Sequence, residues 1–80
     1  METIYAYALA FCSPRALRQA NALGLSENQK TTLMDPRRES SELYMVVYTS
    51  DVDGQILSIA HKTLADVQML DIKNQVSIFN

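Results

Sequence analysis

Apolar side chains fill both alternating sets of the stretch from Thr3 to Phe11. Ile4, Ala6, Ala8 and Ala10 fall on one side, and Tyr5, Tyr7, Leu9 and Phe11 on the other. Period-two alternation marks a strand, and two apolar faces place it inside a sheet rather than at the edge. The period then changes. Ala16, Leu17, Ala20 and Leu23 recur at helical spacing behind Ser13-Pro14. That dipeptide supplies an N-cap and a first-turn proline, whose missing N–H has no intrahelical partner to lose. Gly24 is placed to end the helix in a left-handed cap. Ser26 and Gln29 have capping-box spacing and predict a short second helix, stopped at Asp35-Pro36. The polar run "DPRRESSE" predicts a solvent-exposed loop.

The second half alternates again. Glu42 to Ser50 is rich in β-branched and aromatic residues, with Leu43, Met45 and Val47 opposite Tyr44, Val46 and Tyr48. "DVDG" turns the chain, and Gln55 to His61 returns it as a hairpin. Thr63 with Asp66 is a second capping signature and opens a short helix with Leu64, Val67 and Leu70 inward. A turn at Lys73-Asn74 precedes a last strand from Val76 to Phe79. The resulting order, β-α-(α)-β-β-α-β, resembles the ferredoxin-like pattern. It implies an α+β sandwich: a four-stranded antiparallel sheet, first and third strands central, helices on one face. The alanines of the first strand would let helices approach closely. Tyr5, Tyr7, Tyr44 and Tyr48 would share the opposite face, in a register that a one-residue slip would exchange.

Eighty residues, 48% hydrophobic with two glycines and two prolines, describe one folded domain, 1–80, and no disordered tract. Nine acidic against seven basic residues give a net charge of −2. That balance argues against direct nucleic-acid binding, which asks for a basic patch. The single cysteine, Cys12, permits no intramolecular disulfide and points to a reducing compartment, the cytoplasm; an intermolecular disulfide stays open. "METIYAYALAF" lacks the basic n-region of a signal peptide. No apolar run approaches the ~20 residues of a membrane span.

Several motifs invite a chemical reading. Cys12 and Arg18 have the C-x5-R spacing of tyrosine-phosphatase loops. Such a loop wraps phosphate in successive N–H groups, whereas "CSPRALR" has no glycine and Pro14 removes a donor. Cys12 therefore reads as a small apolar residue at a strand end, with a thiol whose pKa the following helix could lower. "ANALGLSENQKTTLM" resembles the helix-turn-helix of transcriptional regulators at Ala20 and Gly24, and departs from it at Lys30, where an apolar residue belongs. "IYAYAL" resembles the first RNA-binding strand of RRM domains, but "QILSIAHK" lacks the aromatics of its companion. "DVDGQ" is a fragment of a calcium loop without the remaining ligands. His61 has no second ligand at metal spacing. No catalytic residue, metal or cofactor is predicted.

What remains is contact with another molecule. Tyr5, Tyr7, Tyr44 and Tyr48 suit an interface core. Glu39, Glu42, Asp51 and Asp53 suit a basic groove on a partner. In overall profile (small, single-domain, mildly acidic) the chain resembles phage-encoded inhibitors of the anti-CRISPR type. That resemblance implies binding a larger host protein or nucleoprotein complex in the host cytoplasm and blocking its nucleic-acid site or assembly. The alternative is a ferredoxin-like regulatory or small-ligand module that forms a homodimer through its sheet.

Overall fold

The computed structural model describes residues 3–39, 42–70 and 74–80. Strand β1 (Ile4–Ala10) leads into helices α1 (Pro14–Leu23) and α2 (Glu27–Leu33) and a single 3-10 turn, Pro36–Arg38. Strands β2 (Leu43–Ser50) and β3 (Ile56–Thr63) form the hairpin, and helix α3 (Leu64–Leu70) carries the chain to β4 (Gln75–Phe79). The expected turn at Lys73-Asn74 falls partly outside the described residues; Asn74 itself donates its N–H to Leu70 O at 2.7 Å.

Local chemistry sets the helix ends. Ser13 Oγ accepts from Ala16 N, and Gly24 closes α1 at φ 81°, a left-handed conformation that glycine adopts without steric cost. Ser26 and Gln29 complete a reciprocal capping box at the start of α2. Thr63 Oγ1 accepts from Asp66 N at 3.3 Å and starts α3.

The fold is α+β, with three helices on one four-stranded mixed sheet of order β3-β2-β1-β4. β1 is central, as its two apolar faces require. β2 joins β1 and β3 antiparallel, whereas β4 pairs parallel with β1. This corrects the antiparallel ferredoxin-like expectation: β2 takes the inner place assigned to the third strand, and β3 lies at an edge. The chain leaving α1 and α2 returns antiparallel beside β1, the hairpin adds β3 outside β2, and the crossover through α3 then carries β4 past both to the far edge.

The helices do not share one face. Ala16, Ala20, Leu25 and Leu33 pack with Leu9, Phe11, Met45 and Val47 on one side of the sheet. Val67, flanked by Leu64 and Leu70, packs with Ala6, Ala8, Tyr44 and Val46 on the other. Strand alternation explains the arrangement: a strand apolar on both faces is stable only when both are covered.

Register also separates the tyrosines. Tyr7 stands opposite Val47 and Tyr5 opposite Thr49, while Tyr44 and Tyr48 stand opposite Ala10 and Ala6. Odd positions of β1 therefore meet odd positions of β2. Tyr5 and Tyr7 lie on the α1–α2 side, and Tyr44 and Tyr48 lie on the α3 side, each beside an alanine that leaves room for its ring. The single aromatic face expected from alternation alone does not form.

Candidate functional site

The β2–β3 hairpin ends in a turn held by several hydrogen bonds. Ser50 N donates to Gln55 O and Gly54 N to Ser50 O, both at 2.9 Å. Gly54, at φ 71°, supplies the left-handed residue that the turn needs. Asp53 Oδ1 accepts from Gln55 N at 2.9 Å, and Ser50 Oγ accepts from Val52 N at 3.2 Å. Asp51 N donates to Thr3 O at 3.1 Å and ties the tip to the start of β1. These bonds give the tip a defined shape.

The Val52 side chain has no part in that shape. The residue is 79% exposed between two aspartates, at a place where turn chemistry calls for Gly, Asn, Asp or Ser. Two more exposed apolar side chains stand at the same end of the sheet. Ile4 begins β1 opposite Ser50, and Leu57 occupies the irregularity where β3 slips register against Tyr48 and Thr49. An extra residue at a bulge re-aims its side chain out of the regular alternation. Ile4 and Leu57 are two strands apart, roughly 10 Å across the sheet. Three of the five large apolar side chains exposed among the described residues thus gather at one end, beside Asp51 and Asp53. A turn interrupted by a β-branched apolar residue was the sequence signal for this site. The positions of Ile4 and Leu57 needed the sheet.

The other residues expected to contact a partner are dispersed. Glu39 and Glu42 are exposed beyond the opposite end of β2, about 26 Å from the tip at ~3.3 Å per residue. The four carboxylates therefore make two separate pairs, not one patch. Tyr44 is buried at 7% exposure beneath α3. Tyr48 is half-buried, and that burial pushes its phenol pKa up. Tyr5 and Tyr7 are half-buried on the other face, Tyr7 stacking on Phe79 with ring centroids 6.0 Å apart.

The C-x5-R segment does not build a phosphate cradle. Cys12 sits at φ 60°, its N–H donates to Leu33 O at 3.0 Å, and Sγ donates to Asp35 O at 3.4 Å. The donor that would face a phosphate is engaged by α2, and Arg18 is exposed one turn along α1. Desolvation raises the thiol pKa, and the Glu39 and Asp35 carboxylates add to the rise. The expected lowering by the helix is thereby reversed. Asp35 also caps the 3-10 turn and pairs with Arg37 at 3.0 Å, which holds its carboxyl below the usual range.

The helix-turn-helix resemblance does correspond to two helices joined by a short turn. Ala20, Leu25 and Leu33 are its buried residues. Lys30 takes the place of an apolar one by staying at the rim, where Nζ reaches Asn21 Oδ1 at 3.1 Å and Glu27 Oε1 at 2.8 Å. Open grooves of about 640 and 380 Å³ flank α2, sharing Thr31 and Met34. His61 sets its ring edge-on to Phe11 at 5.5 Å. Among the described residues, no three His, Cys, Asp or Glu side chains form a metal-holding group, and no helix is long and apolar enough to cross a membrane. Compared with protein-family models, curated proteins and solved structures, the chain has no match.

Proposed function

We propose that this chain is a binding module that contacts a larger protein with the hairpin end of its sheet. The observation that carries this reading is that exposed Val52, Leu57 and Ile4 lie at one end of the sheet beside Asp51 and Asp53, at a turn shaped by its own hydrogen bonds. Exposed apolar side chains rimmed by charge characterise interaction surfaces rather than solvated ones. The fitting partner presents an apolar pocket bordered by basic side chains, to which the aspartates are complementary. The resemblance in profile to phage-encoded inhibitors favours a host nucleoprotein complex as that partner, its basic nucleic-acid groove being the complement of the tip.

A second reading has its own support. The segment from Ser13 to Arg38, which includes α1 and α2, contains five basic and two acidic residues, a surplus of three positive charges. The rest of the chain therefore carries −5 within the net −2. A helical segment with that surplus is suited to a phosphate backbone. One set of variants separates the readings. Val52→Asn with Leu57→Ser is expected to change stability little, because both side chains are half or more exposed. The same pair should weaken binding to the captured partner about thirtyfold, the effect of losing ~2 kcal/mol at an interface centre. Arg15→Glu with Arg18→Glu should leave that binding unchanged. The reverse pattern, with salt-dependent binding of a DNA duplex, favours the second reading.

A further inference from the structure

The two edges of the sheet are not alike. β3 carries a register irregularity at its hairpin end and Lys62 near its other end, two devices that discourage a foreign strand. β4 has neither. Gln75–Phe79 reads QVSIF, with no charge, no proline and no bulge in its pairing with β1. Beyond β4 the sheet order has no further strand among the described residues, so alternate N–H and C=O groups face outward. Ile78 is 44% exposed on this strand.

We propose that the outer edge of β4 is the self-association site of the protein, where β4 of a second copy pairs with it antiparallel. The occupant follows from side-chain register. β4 places Val76 and Ile78 on the α3 side, opposite Ala6 and Ala8, and Gln75, Ser77 and Phe79 on the α1–α2 side. A two-fold axis through Ser77 sets Val76 against the partner's Ile78, and Gln75 against the partner's Phe79. Apolar thus meets apolar on one face, and no charged residue of the strand meets another. The same axis joins two four-stranded sheets into one of eight strands, with α3 and its copy on a common face. Pairing β3 with the second copy instead would bring Lys62 and the irregular stretch into the new ladder. A contact of five residues per copy is small and belongs with weak, transient associations, on the order of 100 µM. This inference does not rest on the hairpin reading, because the hairpin end stays free in such a dimer.

Sedimentation velocity from about 5 to 500 µM, spanning that range, tests it on the intact chain. A concentration-dependent monomer–dimer equilibrium is expected, and Ile78→Lys should weaken it more than tenfold while its far-UV spectrum stays unchanged. Cross-linking gives a second readout independent of that variant. With Cys12→Ser as background, Ser77→Cys lies on the axis within disulfide reach of its copy and should yield a covalent dimer under mild oxidation. Ser58→Cys on the opposite edge should not. A wild type monomeric throughout, an Ile78→Lys variant that dimerises as the wild type does, or equal cross-linking from both cysteines would each overturn the proposal.

Discussion

Tyr44→Ala is expected to lower the melting temperature by at least about 12 °C. Truncating a buried aromatic costs about 3–5 kcal/mol, and each kcal/mol moves the midpoint of a domain this size by roughly 4–8 °C. Tyr44 qualifies because its ring is 7% exposed, packed with Val46 and Val67, and set opposite Ala10, whose methyl cannot fill the space left behind. A domain of this length has about 5–15 kcal/mol of total stability, so the variant will be marginal at room temperature. Equilibrium urea unfolding followed by far-UV circular dichroism measures the loss.

Leu9→Ala should cost a comparable amount through the opposite face. Leu9 is fully buried on the inner strand β1, against α1 and α2 in the cluster of Phe11, Leu33, Met45 and Val47. Leucine-to-alanine changes in such sites cost about 2–5 kcal/mol, the spread reflecting how far the cavity collapses. The two substitutions together test the layering. Were all helices on the Leu9 side, Tyr44 would stand on an open sheet face and its truncation would change stability by about 0.5 kcal/mol or less. Comparable losses from both are what two covered faces require.

The sequence made local features legible because their causes are local. Ser13-Pro14, Gly24 and the Ser26–Gln29 box fall where helices begin and end, since capping depends on residues within one turn. The hairpin was legible through Asp53-Gly54, and the inner place of β1 through its two apolar sides. That same pattern also called for cover on both faces, an implication the ferredoxin-like order obscured. Register between β1 and β2 was not legible. About thirty residues separate Ala10 from Leu43, so no turn geometry fixes which residues pair, and a shift of one would have united the four tyrosines. The destination of β4 was equally hidden: a helical crossover can return a strand beside its predecessor or carry it across the sheet.

The candidate site was half legible for the same reason. Asp51 and Asp53 stand out as exposed acids in a turn, and their placement on the hairpin tip holds. Glu39 and Glu42 precede β2 whereas Asp51 and Asp53 follow it, so the alternating stretch between them already sets the two pairs at opposite ends of one strand. Val52 is the residue whose presence folding does not explain. Ile4 and Leu57 join it only because β1 starts, and β3 slips register, at the same level of the sheet.

Site-specific photo-crosslinking tests the contact end most directly. A benzophenone side chain is placed at Val52 in one sample, and at Ala65, exposed on α3, in the other. Both are irradiated in cells that express the protein. The hairpin account predicts one discrete protein adduct from position 52 and none from position 65. Equal adducts from both positions, or no adduct from position 52, would contradict it.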